Sequence, residues 1–391
     1  MKHIAERPIP YGRQTITQDD LSAVLDVLQS DYLTQGPTVG RFERAFAEYI
    51  GSQYAVALAN GTAALHLCAM VLNVQPGDKV ITSPITFTAS ANCVRYCGGE
   101  VVFMDIDPET YLLDIQRVRR HLEQLSREQR SAYKGVIPVD FAGRPCELSA
   151  WRALADEFGL WVLEDACHAP GATFVDKDGI KRRSGDGTLA DVAIFSFHPV
   201  KHIATGEGGA ITTNRSDLYE RLNVLRTHGI TRNASVMHEN HGGWYYEMHE
   251  LGYNYRLTDI QAALGISQLR RAADNLERRV EIARRYDRAF EGTAVTVRPT
   301  PPNVVHAYHL YVVEVEHRRE LYDALRAKNI IAQVHYIPVH LQPYYRQFGW
   351  KHGDLPHAEA YYARCLSLPM FPALTTDEQD YVIASVLECL R

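Results

Sequence analysis

Val192-Ala193-Ile194-Phe195-Ser196-Phe197-His198-Pro199-Val200-Lys201-His202 is an apolar run that ends abruptly in a polar turn bearing one lysine. Its first six residues read as a strand covered on both faces. Six similar short runs, at residues 55–58, 80–82, 101–105, 135–139, 161–164 and 210–213, share the region 54–214 with it. The intervals between them are long enough for helical crossovers, as a mostly parallel sheet with helices on both faces requires. A large α/β domain is therefore expected here.

Working outward, residues 19–30 place Leu21, Val24, Leu25 and Leu28 on one helix face, and a second short helix carries Phe42, Phe46 and Tyr49. Thr258-Asp259-Ile260-Gln261 has the form of a capping box and opens a helical region to about residue 290. Arg270-Arg271 and Arg278-Arg279, beside Asp274, Glu277 and Glu281, read as a solvated helix face. Beyond Pro299, strands at 308–315 and 331–336 and helices at 318–328 and 377–390 make a smaller α+β domain. The expected organisation is an N-terminal arm and helix (1–35), a large domain (36–257), a bridging helical region (258–290) and a small domain (291–391).

A chain of 391 residues can bury two unequal cores. A net charge of -6 with no basic stripe argues against a nucleic-acid partner. Residues 54–74 carry no formal charge, but Asn60-Gly61-Thr62 divides them into pieces too short to span a bilayer. Residues 1–14 have no apolar core of the kind a signal peptide needs. The seven cysteines are scattered without a C-x-x-C pair, as in reduced thiols of a cytoplasmic protein.

Three segments carry chemistry, each where an apolar run ends, which is where open α/β sheets hold their ligands. Asn60-Gly61-Thr62 precedes a helix, and backbone N–H groups there, with the Thr62 hydroxyl, suit a phosphate. A plain strand-to-helix turn with Thr62 as its cap explains that segment equally simply. Asp165, after Trp161-Val162-Leu163-Glu164, is a carboxylate at a buried strand end and needs a cationic partner, such as a protonated pyridine nitrogen. The competing reading is a cap on a following helix. Lys201 lies in apolar surroundings that favour loss of its proton, the condition for Schiff-base chemistry, and Ser196 is close enough in sequence to reach an anion at the same strand end. A surface lysine after a strand is the commoner case. A cofactor with an aldehyde, a pyridine nitrogen and a phosphate would satisfy all three segments.

Together with Ile9-Pro10-Tyr11-Gly12-Arg13-Gln14, Leu33-Thr34-Gln35-Gly36-Pro37, Ser83-Pro84-Ile85-Thr86-Phe87, Gly252-Tyr253-Asn254-Tyr255-Arg256-Leu257 and Ala332-Gln333-Val334-His335-Tyr336, these segments resemble the DegT/DnrJ/EryC1 sugar aminotransferases over nearly the whole chain. The branch nearest in motif aminates UDP-4-keto-6-deoxy-N-acetyl-altrosamine in pseudaminic acid biosynthesis. The resemblance implies a type I, aspartate-aminotransferase-like fold and pyridoxal 5'-phosphate carried by Lys201. It also implies Asp165 on the ring nitrogen and His168 near the ring hydroxyl. Phe87 would stack on the ring, with Gly61, Thr62 and Ser196 on the phosphate. Asn254 would reach the phosphate from the partner in a homodimer. Tyr11, the segment Asp31, Tyr32, Leu33 and Thr34, and Gln333, Val334, His335 and Tyr336 would line a pocket for a UDP-linked keto sugar, with L-glutamate as amino donor. Close relatives often have Asn-Ser-Ala-Thr where this chain has Asn60-Gly61-Thr62, which touches the phosphate contacts and not the reaction class.

Four rivals remain open. Sugar dehydratases of the family replace the lysine with histidine; here it is Lys201, followed by His202. A dTDP- or GDP-linked keto sugar is an alternative substrate, and a non-catalytic protein keeping the fold is another reading. A metal site on His238, His241 and His249 lacks the H-E-x-x-H register, and Gly242-Gly243 interrupts any helix, so a solvated loop without metal is expected.

Overall fold

A computed structural model describes residues 7–390; residues 1–6, the start of the expected arm and of the stretch read against a signal peptide, lie outside it, as does residue 391. All seven apolar runs are strands of one sheet: β1 (Tyr54–Leu58), β2 (Lys79–Thr82), β3 (Glu100–Phe103), β4 (Tyr133–Ile137), β5 (Trp161–Asp165), β6 (Val192–Ser196) and β7 (Gly209–Thr213). Their order across the sheet is β1-β7-β6-β5-β4-β2-β3. β7 is antiparallel to both its neighbours, and the remaining pairs are parallel. The sheet is thus mixed but mostly parallel, with strand ends within one or two residues of expectation.

That pairing decides where the site lies. Gly209, which opens β7, pairs with Leu58 on one side and Ser196 on the other, so the carboxyl ends of β1 and β6 meet at one edge. A side chain at Gly209 would put a Cβ 2.6 Å from the Asn60 backbone, so only glycine allows the strands this close. β5 adds Asp165, in register with Ile194.

Helix α1 (Gln18–Leu28) and helix α2 (Pro37–Ile50) precede β1, and helix α3 (Gly61–Val71) follows it. Phe42 and Phe46 of α2 pack edge-on against Phe195 and Phe197 at centroid separations of 5.0–5.3 Å. Such aromatic pairs are worth roughly 0.5–1.5 kcal/mol each beyond area burial, which makes this one of the firmer supports beneath β6.

Three expectations are corrected. The leucines of α1 face outward: Leu21, Leu25 and Leu28 are each more than half exposed, while Asp20 and Val27 are buried. The Asp20 carboxylate accepts from Gln268 Nε2 at 2.9 Å and Arg271 Nη2 at 2.6 Å, so an ion pair fixes the inner face of this helix. The second correction concerns residues 258–290, which form two helices, α4 (Asp259–Leu269) and α5 (Ala272–Phe290); Arg270 is exposed and Arg278 pairs with Glu281 as a solvated face would have it, but Arg271 and Arg279 turn inward. Arg271 holds Asp20. Arg279 is buried, with Nη1 donating to the carbonyls of Tyr308 and Met370 at 3.0 Å and His309 at 3.5 Å. Burial without a carboxylate partner lowers its pKa to about 10, and it remains charged at neutral pH.

The third correction lies in the small domain. The strand expected at 331–336 is only Ile330–Ile331, parallel to Ile9–Pro10. Gln333 makes a single bridge to Ser367, with N–H···O distances of 3.1 and 2.7 Å, and the chain then turns toward the sheet edge. The expected strand 308–315 is Tyr311–Glu314, and it pairs with Cys365–Leu368, a strand with no clear alternation in its sequence. Ile282, Tyr286 and Phe290 of α5 pack with Val313, Leu325 and Val386 in this domain's core. Among the described residues no helix is long and apolar enough to cross a membrane.

Candidate active site

The carboxyl ends of β1, β5 and β6 border a cavity of about 960 Å³. Tyr11, Gly61, Thr62, Phe87, Asp165, His168, Ser196, Lys201, Gln333, Val334, His335 and Tyr336, scattered over some 330 positions in sequence, all line it. Asp31, Tyr32, Leu33, Thr34 and Asn254 do not; they are exposed on the outside of the chain.

The entry to α3 shows why Thr62 is no cap. Asn60 takes that role, its Oδ1 accepting from Ala63 N–H at 2.8 Å. The Thr62 hydroxyl is thereby left over, together with the N–H groups of Gly61 and Thr62, which have no carbonyl one turn back inside the helix. A Cβ at Gly61 would lie 3.1 Å from Ser196 Cβ and crowd the space between them. Two hydroxyls and a helix N-terminus thus converge on one concavity suited to a phosphate.

Asp165 caps no helix either, because a turn follows β5. It is 5% exposed, and its bonds come from neutral donors: Ser90 Oγ–H at 2.6 Å and Cys167 N–H at 3.2 Å. Ser90 is in turn 2.7 Å from the Thr86 hydroxyl. A carboxylate this enclosed and without an ion pair is costly unless a cation enters from the pocket.

Lys201 reaches the same pocket from the turn after β6. Burial lowers its pKa below the usual range, partly offset by Cys167 and Asp165. Its Nζ lies 3.4 Å from Nε2 of His309, a residue the sequence did not point to. Nothing near His306-Ala307-Tyr308-His309 marks that residue as a partner of Lys201; it arrives from 108 positions away because Arg279 holds the carbonyls of Tyr308 and His309. His309 in turn packs on His168 at a centroid distance of 4.3 Å. Burial, then Lys201, pushes both imidazoles well below their usual pKa, so they are neutral.

The tautomer of His168 follows from its neighbours. Ala142 N–H donates to Nδ1 at 3.2 Å, so that nitrogen carries the lone pair and Nε2 carries the proton. Nε2 then offers its N–H into the pocket, 3.3 Å from the Tyr336 hydroxyl. His335 is more committed: Nδ1 meets Ser367 Oγ at 2.9 Å, and burial lowers its pKa to about 3. Phe87 stands 60% exposed at the mouth, 6.4 Å from the Tyr336 ring.

Behind Asp165 lies a second pair of acids. Glu164 and Asp140 are both buried; Gly185 N–H donates to Glu164 at 2.9 Å, and Ser184 Oγ–H and Cys146 N–H donate to Asp140 at 2.6 and 2.7 Å. Burial pushes Asp140 up to about 6, and burial together with the charge of Asp140 raises Glu164 further.

A mostly parallel sheet with a lysine, a carboxylate and a phosphate cradle at one edge, joined to a small α+β domain, defines a fold type I pyridoxal-phosphate-dependent transferase. Residues 14–387 match the DegT/DnrJ/EryC1/StrS aminotransferase family, and the chain belongs to it as a sugar aminotransferase. It is 40% identical to the spore coat polysaccharide biosynthesis protein SpsC of Bacillus subtilis, over 98% of this chain and 97% of that one. The PMP form of the putative sugar aminotransferase Spr1654 of Streptococcus pneumoniae superposes with a TM-score of 0.88 at 30% identity, over 97% and 98% of the chains. PseC of Helicobacter pylori, an aminotransferase involved in the biosynthesis of pseudoaminic acid, gives 0.88 at 29% identity over 98% and 99%.

Proposed function

We propose that this enzyme transfers an amino group from L-glutamate to C4 of a UDP-linked 4-keto-6-deoxy-N-acetyl-hexosamine, as in pseudaminic acid biosynthesis. The observation that carries this reading is the convergence of Lys201 and ion-pair-free Asp165 in a cavity of about 960 Å³ that Gln333 to Tyr336 also line. The likeness to PseC supports the sugar, and SpsC keeps a different polysaccharide precursor as the second reading.

When bound, pyridoxal phosphate supplies an aldehyde carbon for the transferred nitrogen and a ring that draws electrons from the reacting carbon. The residues fit it: Asp165 lacks a cation, the Gly61–Thr62 turn lacks an anion, and His168 offers an N–H between them. Lys201 would hold the cofactor through Nζ, and the same nitrogen, its proton disfavoured by burial, would move the proton at the carbon that loses or gains the amino group. Positioned proton transfer of this kind typically contributes about 10²–10⁴-fold. Asp165, held in line by Ser90, would keep the ring nitrogen protonated. Thr62, Ser196 and the Gly61 N–H would bind the phosphate, Phe87 would pack on the ring, and Tyr11 with Gln333, Val334, His335 and Tyr336 would orient the sugar.

Asn254 and the segment Asp31–Thr34 then belong to the neighbouring site of a homodimer. The loop before α2 is held outward by Asp259, whose carboxylate accepts from the N–H groups of Gly36 and Thr38 at 2.7 Å each. Next to it α1 exposes Leu21, Leu25 and Leu28, an apolar face that a second copy would cover.

The substrate is tested by converting the enzyme to its amino-loaded form with glutamate and offering UDP-, dTDP- and GDP-linked 4-keto sugars in turn. Reaction with the UDP sugar at least tenfold faster than with the others is expected. A preference for either other nucleotide would replace the proposed substrate, and no reaction with any would remove amino transfer to C4.

A further inference from the structure

The hairpin joining Ile230–Thr231 to Glu247–Met248 aims three donor atoms at one point outside the cofactor pocket. His238 Nδ1 lies 3.1 Å and His249 Nε2 2.6 Å from Glu247 Oε2, and the three atoms all lie within 4.8 Å of one another. The remaining carboxylate oxygen is already held: Oε1 accepts from the N–H groups of His238 and Glu239 at 2.8 and 2.9 Å, and from the Tyr245 hydroxyl at 3.1 Å. Those donors fix the carboxylate plane, with Oε2, which also accepts from His238 N–H at 2.9 Å, turned toward both imidazoles.

His241, the histidine that sequence spacing paired with His238, is not part of this cluster. Its Nε2 meets Glu239 at 2.9 Å and its ring lies 4.6 Å from that of Tyr245. Glu247, nine residues from His238, takes its place because the hairpin folds back on itself. That exchange converts an H-x-x-H pair without a register into two imidazoles and one carboxylate.

We propose that His238, Glu247 and His249 bind one Zn²⁺ ion, with water completing a tetrahedral site. Two imidazole nitrogens and a carboxylate oxygen are a recognised zinc donor set, whereas Mg²⁺ and Ca²⁺ favour oxygen alone. Bonds of about 2.0–2.2 Å place tetrahedral ligands roughly 3.4 Å apart, so the 3.1 Å edge is nearly in place and the 2.6 Å edge opens by under about 1 Å. The His238 side chain is 83% exposed, which leaves room for that shift and for water. The ion would clamp a hairpin that otherwise rests on few apolar contacts, just before Gly252–Leu257.

The test uses full-length protein loaded with pyridoxal phosphate, so that the pocket lined by His168 and His309 is filled and cannot itself take metal. After chelation and dialysis, ZnCl₂ is titrated by calorimetry and the bound metal counted, for wild type, His238→Ala, His249→Ala and Glu247→Gln. One equivalent per chain is expected in the wild type, at least tenfold weaker in each variant, with far-UV circular dichroism unchanged. Co²⁺ in place of Zn²⁺ should give the intense visible bands of a tetrahedral site, absent from His249→Ala. No stoichiometric zinc in the wild type overturns the proposal, and the cluster is then a hydrogen-bonded clamp. Equal uptake by wild type and His238→Ala, whose side chain is too exposed to matter for folding, overturns it as well.

Discussion

Lys201 and Asp165 are enclosed by neighbours from their own chain, whereas Asp31, Tyr32, Leu33, Thr34 and Asn254 face outward without touching the pocket they are expected to serve. The difference lies in what satisfies each group. The floor is made of strand ends, where Ser90, Cys167 and Ala142 supply fixed donors and only the cofactor's charges are missing. The outer segments are held just as firmly, by Asp259 and by the bridge between Thr227 and Asn254, but they face away from the pocket of their own chain. On the proposed reading one chain builds the chemistry and a second copy closes it.

The largest expected effect removes the floor's central group. Lys201→Ala should lower transamination by about 10³-fold or more, measured by coupled assay, while the melting temperature holds or rises, because a lysine whose charge is disfavoured by burial has been taken away. A loss of folding would mean that Lys201 is structural.

Mixing tests the other half of the comparison. Asn254→Ala should also be impaired, yet an equimolar mixture with Lys201→Ala, unfolded and refolded together, should recover activity. A mixed dimer has one site carrying both defects and one carrying neither, so roughly a quarter of all sites return for random pairing. No recovery would place Asn254 in the site of its own chain.

Gly61→Ala comes next. Its Cβ would crowd Ser196 at 3.1 Å where the phosphate is expected, so cofactor affinity should fall about tenfold, or roughly 1.4 kcal/mol. Equilibrium dialysis measures it, and unchanged affinity would move the phosphate elsewhere.

The smallest effect concerns the acids behind the floor. Asp140 and Glu164 have folded pKa values raised above their unfolded ones, so their contribution to stability is complete at low pH and is lost as pH rises through about 6 and beyond. Glu164→Gln should therefore gain stability on the wild type in urea unfolding as pH rises from 5 to 8. A parallel pH dependence in both proteins would contradict the shared burial of these carboxyls.

These predictions rest on parts of the molecule that were unequally visible in sequence. The central sheet was legible strand by strand, because each strand is buried on both faces and its apolar run stands out from the helices around it. Lys201, Asp165 and Gly61 were legible for the same reason, as polar residues placed where such runs stop. His309 was not, since its position depends on buried Arg279, whose charge made it look solvent-facing. The outward turn of Leu21, Leu25 and Leu28 was hidden too: periodicity marks a face, and it does not say whether the same chain or another covers it. Nor could the small domain's strand Cys365–Leu368 be read from alternation, as all four of its residues are buried.

Lys201 is proposed as the residue that binds the cofactor. Reduction of the pyridoxal-phosphate-loaded enzyme with borohydride, followed by peptide mass mapping, tests it most directly. One phosphopyridoxyl group per chain is expected, on Lys201, and none when glutamate is added before reduction. A label on any other lysine, or an equal label after glutamate, would contradict it.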